Sequence, residues 1–325
     1  MENPQTPPRP WLDALIRWFD VNAIPAPDTQ AADARRVDLL RVIPFMLMHI
    51  ACLSVIWVGW SPFAVAVAVG LYVLRMFAIT GFYHRYFSHK AFRTSRPVQL
   101  AFAIIGAAAV QRGPIWWAAH HRHHHANSDQ DDDTHSPVRH GLFWSHVGWF
   151  LCKANFPTRR HLVKDWLKFP ELCFLDRFDI AVPVVFGLSL YAIGAALGQW
   201  APGMGTSGGQ LFVWGFLIST IVLYHATFTI NSLCHVWGSR RYATPDGSRN
   251  NPWLALITLG EGWHNNHHHY PRSARQGFYW WEFDLTYYLL KLMASLGIIW
   301  DLKALPAAAR ERGHLDRPAD SGASA

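Results

Sequence analysis

The sequence predicts an all-α protein with four transmembrane helices and a cytosolic helical cap that holds a histidine-rich site for two metals. The 325-residue chain is 51% hydrophobic, and only 16% of its residues are charged, against roughly 25% in ordinary soluble domains. Its uncharged stretches are long enough to cross a bilayer. Its histidines gather in groups that follow these stretches rather than lying within them.

Four stretches are predicted to span the membrane. The ranges 42–60, 180–200 and 211–234 contain no Asp, Glu, Lys or Arg. The range 62–83 is interrupted by Arg75, which must reach the headgroups or find a buried partner. The mean hydropathy of +0.05 indicates that much of the chain lies outside lipid. The alternative, buried helices of a large soluble protein, stays open at this point.

Basic residues are placed on one side of this predicted bundle. The connections 59–62 and 201–209 contain no Lys or Arg, whereas the other connections contain many. By the positive-inside rule both termini and the large connections face the cytoplasm. The net charge of +7 is therefore expected to be membrane-surface charge, and it requires no nucleic acid. The segments 1–35 and 304–325 are expected to be cytosolic tails, and the polar N-terminus does not predict a signal peptide.

Two histidine runs, at 120–125 and 264–269, share one spacing. Their i, i+3 and i+4 positions place three imidazoles on one helix face. The same face excludes the neighbours His120, His123 and His269, which are expected to be spectators. Two further pairs follow predicted spans: two histidines five residues apart, a weaker signal, and an Asn and a His four apart. The selected residues are His84, His89, His121, His124, His125, Asn231, His235, His264, His267 and His268.

Nine histidines on one side of the membrane exceed the needs of a single tetrahedral zinc. They suit two metals with four or five ligands each, and neutral imidazoles without thiolates fit iron. The four cysteines form no Cys-x-x-Cys pair, so neither a disulfide framework nor a zinc knuckle is predicted. The acidic run Asp129, Asp131, Asp132 and Asp133 is expected to be a solvated face, or else to orient imidazoles from a second layer.

The histidine motifs occur together in an order that resembles one family. His84–His89 reads HRYFSH, the next box reads HRHHH and is followed by Asp133-Thr134-His135, and SHVGW, NSLCH and GEGWHNNHH come after it. Over about 40–303 the chain resembles the membrane fatty acyl-CoA desaturases of the stearoyl-CoA (Δ9) type, in bacterial form. The resemblance implies a desaturase domain at 36–303, a bent acyl tunnel, two irons held by the nine histidines, and Asn231 reaching the metal through water. It also implies a multi-pass protein of the inner membrane.

Two departures from the family pattern concern its partners. Family members that bind CoA carry an Arg where this chain has Ala119, so another acyl carrier stays open beside acyl-CoA. No fused cytochrome b5 segment is visible, so a separate ferredoxin- or cytochrome-type donor is expected. Lys153 is a candidate phosphate contact or a membrane-surface charge. The candidate wall of the acyl tunnel is Trp116, Trp117, Trp149 and Trp263, which an interfacial aromatic belt would explain nearly as well.

Three functions remain open on the sequence. The first is an O₂-dependent acyl-CoA desaturase that forms a cis double bond, at Δ9, with zinc as a replacement for iron in overexpressed protein. The second is a histidine-box hydroxylase of alkanes, sterols or fatty acids, which would use the same oxidant. The third is a membrane metal-binding protein or transporter. Against it, the boxes lie outside the spans, whereas transport sites lie near the middle of the membrane.

Overall fold

The computed structural model describes residues 16, 18–23 and 36–315, and 64% of it is helical. The helices are α1 (Leu39–Ala51, continued by Cys52–Ser54 and Val55–Val58), α2 (Pro62–Ser88), α3 (Arg96–Ala107), α4 (Pro114–Asn127), α5 (Pro137–His140), α6 (Leu142–His146), α7 (Pro170–Arg177), α8 (Ala181–Trp200), α9 (Gly208–His235), α10 (Pro252–Ile257), α11 (His264–His269), α12 (Leu285–Ser295) and α13 (Ala307–Glu311). Two short strands, β1 (Arg93–Thr94) and β2 (Ile299–Trp300), pair antiparallel. The predicted tails lie mainly outside the described residues, although α13 belongs to the second of them.

Within the described part of the chain, three helices are long and apolar enough to cross a membrane: α2 with 27 residues, α8 with 20 and α9 with 28. They correspond to the predicted spans 62–83, 180–200 and 211–234. The first predicted span, 42–60, is a shorter apolar helix, Val42–Val58, and stays a prediction as a fourth span. The reversal between α1 and α2 follows from local sequence, because Gly59 takes a positive φ of 65° and Ser61 caps α2. Pro62 occupies the first turn, where its missing N–H is not needed.

Arg75 finds buried partners instead of reaching the headgroups. Its guanidinium donates to the hydroxyls of Ser219 and Thr220 on α9 and to the carbonyls of Leu71 and Ala108. The side chain is 1% exposed. This charge therefore joins α2 to α9 and to the end of α3, as intramembrane cations do when they turn toward the bundle interior.

The main core lies where the end of α2 meets the cap. Aromatic side chains of α2 pack against α3, α4 and α12, and Phe82 stacks on Phe102 with ring centroids 3.8 Å apart. A smaller cluster, centred on Ala64, Leu190 and Leu211, joins α2, α8 and α9. The large core thus fixes the cap on top of the long helices, and the histidine-bearing segments lie around it.

Candidate metal centre

The end of α2 is a π-helix, and this explains the five-residue spacing of its histidines. In a π-helix the hydrogen bonds join residues five apart, so such residues stack on one face. Ala78–Ser88 is π-helical, and the His89 amide donates to the His84 carbonyl at 3.2 Å. The two imidazoles lie 4.9 Å apart between centroids. The five-residue spacing of His84 and His89, a weaker sequence signal than i, i+4, thus fits a π-helix, which is rarer than an α-helix.

The other boxes lie on short helices that face this end of α2. α4 has Pro at its first turn and presents His121, His124 and His125, while α11 consists of His264–His269. Within each helix the i, i+4 pair stays together, and the residue at i+3 turns to a second group. His235, at the end of α9, joins the group that contains His124.

Five histidines, His84, His89, His121, His125 and His267, form one cluster, and His124, His235, His264 and His268 form another. In each cluster all ligand nitrogens lie within 4.8 Å of one another, and each cluster could hold a metal ion. All nine predicted histidines are brought together, divided five and four.

Contacts between Nε2 atoms have the separation that a shared ion would give. Two imidazoles at right angles around an ion, bound at roughly 2.1 Å, have nitrogens about 3.0 Å apart. The Nε2 atoms of His84 and His267 are 3.0 Å apart, and those of His267 and His125 are 2.9 Å apart. In the second cluster the separation between His235 and His264 is 3.1 Å. The arrangement is therefore suited to metal binding without rearrangement.

Carboxylates fix the outward nitrogen of four of these imidazoles. His124 Nδ1 contacts Asp133 at 3.0 Å, His235 Nδ1 contacts Asp129 at 2.9 Å, and His268 Nδ1 contacts Asp246 at 2.7 Å. His84 Nδ1 contacts Glu261 in the same way. With the proton on Nδ1 donated to a carboxylate, each Nε2 turns a lone pair toward its cluster.

The pKa values agree with this division of roles. Burial lowers the pKa of His89, His121, His125, His264 and His267 well below the usual value, and neighbouring imidazoles lower it further. Burial also opposes ionisation of Asp129, but the hydrogen bonds that it accepts from His235 and Ser136 outweigh it and bring that pKa to about 2. These five imidazoles are thus held neutral, whereas burial lowers and the Asp133 carboxylate more strongly raises the pKa of His124.

Glu261 is held by a loop in which two glycines are required. Gly260 has a φ of 124°, and a Cβ there would lie 2.5 Å from Asp284 Oδ1. A Cβ on Gly262 would lie 2.1 Å from the backbone nitrogen of Ala255. Arg85 Nη2 donates to both Glu261 and Asp284 at 2.9 Å, so the carboxylate that orients His84 is itself buried in an ionic network.

Sequence reasoning found part of this outer layer. Asp129 and Asp133 do orient imidazoles, while Asp131 is exposed and pairs with Arg139. Asp246 was missed, and Glu261 was quoted within its motif without a role. A charged residue between two glycines beside a histidine box was the available signal for Glu261; the loop around Asp246 gave none.

The histidines expected to be spectators lie outside both clusters. His123 contacts the Asp132 carbonyl, and His269 contacts the Ala309 carbonyl. His120 is buried and lines a cavity instead. His135, which received no separate role, stacks on His124 at 4.3 Å between centroids and lines the same cavity.

An apolar cavity of about 260 Å³ leads to the clusters. A second space of about 40 Å³ shares His121, Trp117, Thr227 and Asn231 with it and reaches both clusters. Of the predicted tunnel residues, Trp116, Trp117 and Trp149 line the large cavity.

The other two candidates lie elsewhere. The indole of Trp263 donates to the Phe283 carbonyl, and Lys153 is exposed on a short 3₁₀ segment. Neither lines a described cavity.

Comparison with known proteins agrees with the geometry. A family model described as fatty acid desaturase matches residues 34–298. A chloroplastic palmitoyl-monogalactosyldiacylglycerol delta-7 desaturase of Arabidopsis thaliana is 37% identical, over 86% of this chain and 72% of its own length. The sn-2 palmitoyl-lipid 9-desaturase of Nostoc sp. is 33% identical over 80% and 88%, and the icosanoyl-CoA 5-desaturase of Limnanthes douglasii is 32% identical over 85% and 74%. With its histidine clusters and membrane-type helices, the chain belongs to the fatty acid desaturase family.

Proposed function

We propose that this protein is an O₂-dependent fatty acyl desaturase that introduces a cis double bond, at Δ9, into a saturated acyl chain. One observation carries the proposal. Two histidine clusters meet the inner end of an apolar cavity whose walls suit a hydrocarbon chain. Neither a transporter nor a simple metal store needs such a cavity beside its ligands.

The nine histidines would hold two irons, with Asn231 reaching one of them through water. This assignment is supported by the ligand type, by the Nε2 separations and by the position of Asn231 in both cavities. When bound, the iron pair supplies the O₂-derived oxidant for unactivated methylenes, a chemistry that side chains lack. Zinc would replace iron in overexpressed protein, because imidazole sites bind zinc at least as well.

The chain's own residues position the substrate and keep water out. Trp116, Trp117 and Trp149 form an apolar wall, and Trp117 lies where the two cavities join. Reduction of O₂ to two waters takes four electrons and four protons. The substrate gives two of each, a separate ferredoxin- or cytochrome-type protein would bring the other two electrons to the basic cytoplasmic face, and the other two protons would come from solvent.

Acyl-CoA is the carrier that the sequence suggests, and a membrane lipid is a second candidate. Among the described residues that line the cavity, Arg112 is the single Lys or Arg, and it pairs with Asp179. α1 and α8, which lie among the membrane-type helices, supply further wall residues such as Phe45 and Pro183. These features favour a lipid-linked acyl chain, and two of the relatives named above are lipid desaturases.

The proposed topology has four spans, both termini in the cytoplasm, and an inner-membrane location. A reporter fused after Gly205 should report the outer side, and one fused after Ser248 should report the cytoplasm. The basis is that Lys and Arg are absent from 201–209. Two reporters on the same side would contradict the four-span arrangement.

The function is tested in a desaturase-deficient host. Fatty acids are analysed by gas chromatography with double bonds located, and His124→Ala serves as the inactive control. Purified enzyme is then offered labelled acyl-CoA or acyl-lipid vesicles, with reductant and O₂. A monounsaturated product and about two irons per chain are expected. A hydroxylated product would indicate the hydroxylase alternative, and full activity with zinc and no iron would refute the proposed metal.

A further inference from the structure

The large cavity is mainly aromatic, yet its wall contains polar nitrogens without partners. Trp149 Nε1 and His135 Nδ1 are buried and have no hydrogen-bond partner. Both residues line the cavity, and they are 7% and 4% exposed. An unpaired polar group away from water is costly, so such groups are normally paired by protein, water or ligand.

The chemistry of these groups narrows what they can bind. The indole N–H of Trp149 only donates, and a neutral imidazole always has one N–H to donate. The nearest carboxylate to His135 Nδ1 is Asp133, at 3.9 Å, which is beyond hydrogen-bonding distance. The rings of Trp149 and His135 are 4.9 Å apart, so the indole donor and an imidazole that donates in its Nδ1–H tautomer lie on one part of the wall.

His120 differs from this pair although it is also buried beside Trp149. Its Nε2 lies 3.3 Å from the Pro157 carbonyl and therefore donates there. The remaining nitrogen of a neutral His120 is then an acceptor, which cannot bind a carbonyl oxygen. Among these buried neighbours the unpaired donors are therefore Trp149 and His135, while the half-buried Trp18 is a further unpaired donor in the cavity wall.

A fatty acyl ester or thioester has one strong acceptor, its carbonyl oxygen, at the end of an apolar chain. We propose that Trp149 and His135 form a carbonyl-binding subsite in the acyl cavity. The inference rests on the proposed function. Anchoring the carbonyl fixes how many methylenes lie between it and the histidine clusters, and so fixes the position of the double bond.

The location of the subsite suits this role. His135 stacks directly on His124 of the four-histidine cluster, and Trp149 follows at the next ring contact. Trp149 also stacks on Trp116, with centroids 5.7 Å apart, which holds its ring in place. The subsite therefore lies along a series of ring contacts that leads away from the four-histidine cluster, on a part of the wall whose geometry is set by packing.

Trp149→Phe tests the subsite, because it removes the N–H and keeps an aromatic ring. Loss of one neutral hydrogen bond should raise KM by about 2- to 12-fold. The product should contain double bonds at several positions instead of at one. Trp144→Phe is the matched control, since Trp144 donates to the Thr134 carbonyl at 3.0 Å and does not line either described cavity. It should keep the wild-type double-bond position.

A second measurement works without turnover. The infrared stretch of a ¹³C-labelled substrate carbonyl, bound in the absence of reductant, should shift to higher wavenumber in Trp149→Phe. His135→Leu should give the same shift at unchanged metal content, while His135→Gln, which keeps an N–H donor, should restore the wild-type frequency.

The outcomes separate the two proposals. An unchanged frequency together with a single double-bond position in both Trp149→Phe and His135→Leu would overturn the subsite. Both effects appearing in Trp18→Phe instead would also overturn it, because the half-buried Trp18 also lines the cavity without a partner at Nε1. Absence of any unsaturated product from the wild type would overturn the proposed function, and the carbonyl measurement would still report on the subsite.

Discussion

Asp246→Asn should weaken metal binding at the four-histidine cluster while leaving the fold intact. The carboxylate accepts from His268 Nδ1 at 2.7 Å through one oxygen and from the Ser248 amide at 2.9 Å through the other. Burial opposes its ionisation, but His268 and Ser248 hold its pKa well below the usual range. An amide in its place has one acceptor, so either orientation loses one of the two hydrogen bonds. Facing His268 with its NH₂ group, it would favour the tautomer whose Nε2 is protonated and cannot bind a metal.

Two scales give the same magnitude for this change. Loss of an outer partner of a ligating histidine typically lowers metal affinity by about 10- to 100-fold, or about 1.4 to 2.7 kcal/mol. A hydrogen bond to a charged group contributes about 1.5 to 3 kcal/mol. We therefore expect metal loss at a chelator activity 10- to 100-fold lower than in the wild type, by the first of these scales.

The assay is metal content per chain after dialysis against graded chelator, with activity measured in parallel. Asp131→Asn is the control, because Asp131 is an exposed acid that contacts Arg139 at 3.4 Å. It should follow the wild-type curve. A wild-type curve for Asp246→Asn, with iron retained, would refute the argument that the carboxylate selects the tautomer of His268.

Three further predictions concern the histidine register, pH and backbone packing. His124→Ala should abolish product formation while His123→Ala keeps substantial activity per folded protein, because only His124 lies in a cluster; the reverse result would refute the assigned face. Burial raises the pKa of Asp176 to about 6 from the ordinary 3.8, so its folded form resists ionisation and stability should fall as pH rises from about 4 to 6. Asp176→Asn should remove up to about 3 kcal/mol of that loss, seen as a smaller fall in Tm between pH 4 and 7 than in the wild type; an equal fall would contradict the raised pKa. Gly262→Ala should lower Tm and folded yield, because its Cβ would lie 2.1 Å from a backbone nitrogen of α10. Gly203→Ala should lower neither, because no atom lies within 4 Å of its added Cβ. Similar Tm values for the two variants would show that the loop at Gly262 relaxes.

The grouping of the histidines could be predicted because helix geometry makes residues three and four apart neighbours. His121 and His125, one turn apart, share a cluster as that rule suggests. The division that sends His124 to the other cluster could not be predicted, since it depends on where α2 and α9 present their own imidazoles. Long-range contacts explain the other misses as well. Asp246 meets His268 across a loop, and Trp263, adjacent to a box in sequence, turns away to the Phe283 carbonyl.

The first predicted span differs from the other three for a local reason. The helices α2 and α9 continue beyond their apolar stretches, and α8 is about as long as its apolar stretch. The apolar helix Val42–Val58 instead ends at the turn before Ser61. Composition identified the apolar stretch correctly. Its helical length depends on the terminating Gly59, whose positive φ ends the helix early.

The division of two short helices between the clusters should make metal loading cooperative. α4 gives His121 and His125 to one cluster and His124 to the other, and α11 gives His267 to one and His264 to the other. An ion bound in either cluster therefore restricts both helices and prepares ligands for the second ion. In thermodynamic terms the two sites would share a favourable, negative coupling free energy, which is reciprocal by necessity. Chains with no metal or two metals should dominate during loading, and chains with a single ion should be scarce.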